Sequence, residues 1–294
     1  MNGIQNQHSS AVRFVIDSGL FLILIGCFHV FVFLVDGGSW SGTLSWRKPI
    51  LFGISTGVTL LSLSWVAGLL QAKKRDLFSF RLIGIFLVIE VLLITVQTWR
   101  SEPSHFNTNS ALNSSIQFFT ELLVTISVIV IADLTFRSFG RLTVPADMKL
   151  AVRGGMSLLL AGCLIGFLIL GIGYHQLSID RAPETYGTRG VLKYPHGIPL
   201  HAIQILPLIS WLSERFGHET RTRTMLVQTG LAFVIAFTGF GLLQTFTGHS
   251  RFESWAGLYL YWGSCIVIIG LWLVSTWSHL MSQNVPSSAV CDVE

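Results

Sequence analysis

Charge is what this chain has least of. Asp, Glu, Lys and Arg make up 12% of its 294 residues, about half the fraction usual in soluble domains, while 51% of the residues are hydrophobic. That balance excludes water as the solvent for most of the surface. Cysteine is scarce too. Cys27, Cys163, Cys265 and Cys291 are far apart and form no CxxC pair, so neither a zinc knuckle nor a disulfide framework is encoded. No lysine falls in the middle of an apolar run, which sets aside a retinal Schiff base, and no Walker-type or GxGxxG phosphate loop follows a strand. The basic residues flank apolar runs and form no amphipathic stripe, so the lipid bilayer is the expected partner and nucleic acid is not.

What the chain has is long apolar runs. They cover 14–35, 49–70, 82–99, 115–136, 152–174, 198–211, 225–246 and 255–280; at about 20 residues per crossing, they predict an all-α, polytopic helical bundle of about eight transmembrane helices. One integral membrane domain over 1–294 follows, with a flexible tail at 281–294. The first run has no basic n-region and no AxA-like cleavage site, so a retained helix is expected. Lys73, Lys74, Arg75 and Arg81, then Arg137, Arg141, Lys149 and Arg153, then Arg215, Arg221 and Arg223 fall in alternate loops. This bias predicts that those loops and both termini are cytoplasmic, against a smaller count outside from Arg47, Lys48, Arg181, Arg189 and Lys193.

The chain also resembles itself. WRKPILFGISTGVTLLSLSW, ending at Trp65, is similar to LKYPHGIPLHAIQILPLISW, ending at Trp211, and VQTW before His105 is similar to LQTF before His249. Two parallel four-helix repeats, 14–136 and 152–280, are the architecture this suggests.

Polar groups inside the runs carry the functional expectation. His201 and Gln204, three residues apart, share a helix face about one turn below the water boundary, in a helix with Pro199 expected in its first turn. His29 lies in the outer part of the first span; Glu90 sits near the middle of the third, with Gln97 two turns further out; Glu121 and Gln117 occupy the outer half of the fourth. A mid-membrane ionisable group costs roughly 2.5 to 3.5 kcal/mol and marks a candidate site. A protonated glutamic acid bonded to a neighbouring helix, or a histidine that only links helices, is the plainer explanation. Arg100, His105 and His196 belong to the outward loops and span ends, where Arg100 pairs with an anion or merely snorkels. Trp40, Trp46, Trp99, Trp255 and Tyr174 fit an interfacial aromatic belt.

KPILFGIS after the first outward loop, QTWRSEPSHFN after the third span and HGIPLHAIQILPL at the sixth resemble a family of bacterial multi-pass membrane proteins without an assigned activity. The resemblance implies an integral protein of the bacterial inner membrane and nothing about a reaction. Here Pro199 stands where the family pattern leads one to expect glycine, and Glu102 and Leu200 occupy positions near those expected to be small.

Six of the nine histidines fall on the outward side, and imidazole is the commonest metal ligand. The leading expectation is therefore a haem or divalent-metal site for redox chemistry, linked to quinone or another small-molecule ligand. His201 would be the axial or metal ligand with His29, His105 or His196, and Glu90 and Glu121 would tune it or relay protons. The alternative is a proton-coupled small-molecule transporter or channel with Glu90, Gln97, Gln204 and Pro207 along its path. A cofactor-free sensor or assembly subunit is the third.

Overall fold

The computed structural model describes residues 2–38, 40–42, 44–183 and 191–250 together with 270, 273 and 277, with side chains from residue 6 onward. Among them are eight helices and no strand: α1 (Asn2–Asp36), α2 (Arg47–Leu69), α3 (Asp76–Trp99), α4 (Ala111–Ser138), α5 (Ala146–Ser178), α6 (Lys193–Leu200), α7 (Ala202–Arg215) and α8 (Thr220–Phe246). Six of these, all but α6 and α7, are long and apolar enough to cross a membrane. The expected all-helical, multi-pass architecture is present. Apart from 270, 273 and 277, the expected eighth span lies outside the described residues, as do the tail, Arg189, Trp255, Cys265 and Cys291.

The expected sixth span, where Pro199 and Pro207 predict a bent or partly buried helix, is broken outright. It is two short helices meeting at His201, where the backbone has φ −89° and ψ −2°. Pro199, expected in a first turn, sits near the end of α6. Its ring donates no N–H and crowds the carbonyl of Pro195. The chain therefore stops at Leu200 and restarts at Ala202.

Small residues set the closest helix approaches. A Cβ placed on Gly57 would lie 2.6 Å from the Gly19 carbonyl oxygen, and one on Gly53 would lie 2.8 Å from Gly26 Cα, so α1 and α2 touch backbone to backbone. On α5, a Cβ on Gly155 would lie 2.8 Å from Ile203 Cα of α7, and one on Gly162 would lie 2.7 Å from Leu200 of α6. The string Gly53-Ile54-Ser55-Thr56-Gly57 spells a nucleophile elbow, yet it runs through the middle of α2 with both glycines against α1. An elbow requires a strand-to-helix turn, so these glycines serve packing.

The buried apolar core includes Leu22, Leu60, Phe80, Ile83, Leu134, Met156, Ile203 and Leu206. Below it, at the end the sequence assigns to the cytoplasm, two buried ion clusters tie helices together. Asp76 of α3 accepts from His8 of α1 (2.8 Å), from Arg137 of α4 (2.7 and 3.2 Å) and from the Lys73 backbone N–H (2.8 Å). Asp147 of α5 accepts from the Ser210 hydroxyl of α7 (2.7 Å) and pairs with Arg223 of α8 (3.3 Å).

Candidate functional site

At the opposite end the polar side chains form a collar over the tops of α2, α3, α4 and α5. Its centre is the end of α3. Arg100 N–H bonds Val96 O and Glu102 N–H bonds Gln97 O, with Ser101 left-handed at φ 55° between them. Few non-glycine residues adopt that conformation, and it turns the loop back over the helix. Gln97 is fully buried; its Nε2 donates to Asn113 Oδ1 (3.2 Å) and to Pro103 O (3.4 Å). Arg100 donates one Nη to Gln97 Oε1 and to Asn113 Oδ1 (3.0 Å). Ser110 caps α4 by accepting from Asn113 N–H (3.2 Å), which fixes the Asn113 amide opposite Gln97.

The same loop carries a buried relay. Lys48, near the start of α2, donates to Ser104 Oγ (2.9 Å), and that oxygen lies 2.9 Å from His105 Nδ1. The ammonium can only donate, so Ser104 Oγ accepts from Lys48 and has its own proton and a second lone pair left for His105 Nδ1. Burial, and after it the Lys48 charge, push His105 down to about 4, so the imidazole is neutral at pH 7. Lys193, at the start of α6, is pushed down to about 8 by burial and by Arg47.

On the α4–α5 side, Tyr174 donates to Glu121 (2.6 Å), and Gln117 Nε2 donates to Tyr174 (2.6 Å) and to Glu121 (3.3 Å). Gln117 Oε1 accepts the Asn107 N–H (2.7 Å), and Asn107 Nδ2 donates to Glu102 (2.9 Å). Both carboxylates of the collar are thus held by neutral donors.

The structure brings together Gln97 with Arg100, and Glu121 with Gln117. It does not gather the histidines. His29 donates from Nδ1 to Ile25 O (2.8 Å) and accepts the Trp99 indole N–H at Nε2 (3.0 Å), so both ring nitrogens are taken. It packs among Trp46 and Trp99 and is not joined to His201. His201 stands at the α6–α7 break, exposed, donating to Gln204 Oε1 (3.0 Å). The dry depth expected for it is absent, because the break turns that position outward. The buried Gln204 Nε2 has no partner among the described residues. His196 donates from Nδ1 to Gly162 O (2.7 Å), and burial lowers its pKa. Glu90 is buried in α3 and accepts no hydrogen bond from any described residue.

Lys48, Ser104, Asn107, Asn113 and Tyr174 complete the collar beyond the expected residues. Their signal was present in part: Lys48 and the Ser-His-Phe-Asn run lie in two of the stretches that carry the family resemblance. Among the described residues no three His, Cys, Asp or Glu side chains are grouped so as to hold a metal ion.

Fold and collar together define a multi-pass helical membrane protein with a polar site over one end of its bundle. Comparison with known protein families, with curated proteins and with solved structures finds no match.

Proposed function

We propose that this chain is a protein of the bacterial inner membrane, with both termini cytoplasmic, that couples movement of a small polar solute to a proton carried by Glu90. One observation carries the reading: a carboxyl group buried midway along a membrane-length helix with no donor from any described residue. Ionised, it would bear the full desolvation cost; a structural carboxyl would have recruited a partner, as Glu121 and Asp76 have. Gln97, two turns above, leads from Glu90 to the collar. Below it the buried polar groups down to the Asp76 cluster include hydroxyls bonded to their own helices, as Ser18 to Phe14 O and Ser127 to Leu123 O, which suits a site reached from the collar side. The test uses proteoliposomes holding a pH-sensitive dye and a panel of amino acids, organic acids and sugars outside. Internal acidification that depends on one of these solutes and disappears in Glu90→Gln supports the proposal. Acidification with none of them, or with full activity in Glu90→Gln, overturns it.

A haem or divalent-metal centre linked to quinone is the second reading, favoured by His196. Its Nδ1–H is fixed on a backbone carbonyl, leaving the Nε2 lone pair available, as a ligating imidazole requires. A Soret band or stoichiometric metal in purified protein, lost in His196→Ala, would support it; colourless, metal-free protein that remains active would dismiss it.

We further propose that the chain is two parallel copies of one unit, α1–α4 and α5 onward. Gly19 and Gly26 match Gly155 and Gly162 in spacing, and their neighbours match in turn: Gly57 with Ile203, Ile54 with Leu200, and the carbonyls of Ile50 and His196. The third helix follows suit, Gly84 of α3 meeting Ser18 of α1 as Leu231 of α8 meets Gly154 of α5. Such agreement in side-chain register supports duplication more strongly than shared apolar composition does.

A further inference from the structure

We infer that Arg100 is the binding group of an oxyanion site, receiving a phosphate at the rim of the collar. The proposal goes beyond the Glu90 reading and does not depend on it.

Three observations carry it. The guanidinium is positioned by neutral groups: one Nη donates to Gln97 Oε1 and Asn113 Oδ1, amides of residues that are 0% and 2% exposed. Both amides are fixed in their turn, Gln97 by Pro103 O and Asn113 through its own backbone N–H to the Ser110 cap. An arginine that only snorkelled would not need two buried amides to hold it. Next, among the described residues its charge has no counter-ion. Arg100 forms no ion pair with any described carboxylate, and the nearest in sequence, Glu102, is turned to Asn107. Its Nε and second Nη have no partner among the described residues, and the residue is exposed. That edge offers two N–H groups to a tetrahedral oxyanion.

The third observation is an internal control. At the end of α8 the chain folds the same turn: Thr247 N–H to Leu243 O, Gly248 N–H to Thr245 O and His249 N–H to Gln244 O, with Gly248 at φ 74°. At the end of α3 the corresponding bonds are Arg100 to Val96, Ser101 to Thr98 and Glu102 to Gln97, with Ser101 at φ 55°. The α8 turn has glycine at its left-handed position, but the end of α5 forms the same turn on a non-glycine residue, Asp180 at φ 56°, with Ile179 in the place of Arg100 and the bonds Asp180 N–H to Leu177 O and Arg181 N–H to Gln176 O. The arginine is therefore not what builds the turn. Trp99 beside it, exposed and at the helix end, marks the depth at which lipid phosphates lie.

The phosphate could come from an outer-leaflet phospholipid or from solution, and the experiment separates the two. Protein in an uncharged detergent is titrated with inorganic phosphate by calorimetry and, separately, with phosphatidylglycerol by native mass spectrometry. Wild type should bind in at least one arm, and the responding arm names the source. Arg100→Thr, which copies the α8 turn, should weaken that binding at least tenfold while elution profile and helicity stay unchanged. Should it fail to fold, Arg100→Gln serves with the same expectation. No binding by wild type in either arm, or equal binding by the folded variant, overturns the inference.

Discussion

His105 is held neutral by its surroundings, and that has a measurable sign. Free histidine titrates near 6.5, whereas burial and Lys48 push His105 down to about 4. Between those values the unfolded chain binds a proton that the folded chain refuses, so stability rises with pH across the window and falls as the solution is acidified through it. Melting temperature in detergent should therefore drop from pH 6.5 toward 4, and the slope should flatten in His105→Gln; an identical slope in both proteins would contradict the assignment. Ser104 is the companion test. Its hydroxyl accepts from Lys48 and shares a hydrogen bond with His105 Nδ1, so Ser104→Ala removes two buried hydrogen bonds at once. A cost of about 1–3 kcal/mol is expected, read as a lower midpoint in denaturant titration. At this scale the sequence disclosed partners near one another in the chain. Glu121 with Gln117 and His201 with Gln204 are each about one helical turn apart, and both pairs are bonded. It did not disclose Asn113 or Lys48, which reach the collar from other helices, nor that His201 stands exposed at a break.

Helices touch where side chains are missing, and this makes glycine substitutions diagnostic at the scale of elements. At Gly57 an added methyl would sit 2.6 Å from the Gly19 carbonyl oxygen, a backbone atom that moves only if α1 moves. Gly57→Ala should thus cost about 1–3 kcal/mol by overpacking. Gly68, near the end of the same helix, has nothing within 4 Å of an added methyl. Gly68→Ala should be neutral or stabilise by up to about 1 kcal/mol through helix propensity. Thermal melting of the two variants checks both signs, and equal effects would mean that α1 and α2 are not packed as described. Long apolar runs made six membrane-length helices legible, because desolvation of the backbone leaves little choice but helix. The broken α6–α7 element was less legible. Two prolines announced a bend, but a proline is compatible with a first turn or a last one, and only the packing of Leu200 and His196 against Gly162 places this one.

Across the whole molecule, each group of packed helices is tied at the same end by a buried carboxylate. Asp76 joins α1, α3 and α4 through His8 and Arg137, while Asp147 joins α5, α7 and α8 through Ser210 and Arg223. The repeated strings hinted at this arrangement, whereas the ion clusters sit at unrelated letters and could not be paired from the sequence. Asp76→Asn removes the carboxylate that accepts two Arg137 N–H groups and His8, leaving the guanidinium, 7% exposed, with Asp133 at 3.5 Å, and the loss of one partner from a buried pair typically costs about 3–5 kcal/mol. Asp147 binds Arg223 at longer range, and Arg223 also reaches Glu214 at 2.8 Å. Asp147→Asn should therefore cost less than Asp76→Asn. Among the described residues the two clusters share no hydrogen-bond or ion-pair partner, so their costs should add to within about 0.5 kcal/mol in the double variant. Denaturant unfolding of wild type, both single variants and the double variant closes the cycle. A coupling well above that value would show that the two helix groups yield as one unit through the α4–α5 connection, where Arg153 already donates to the carbonyls of Ser138, Phe139 and Gly140.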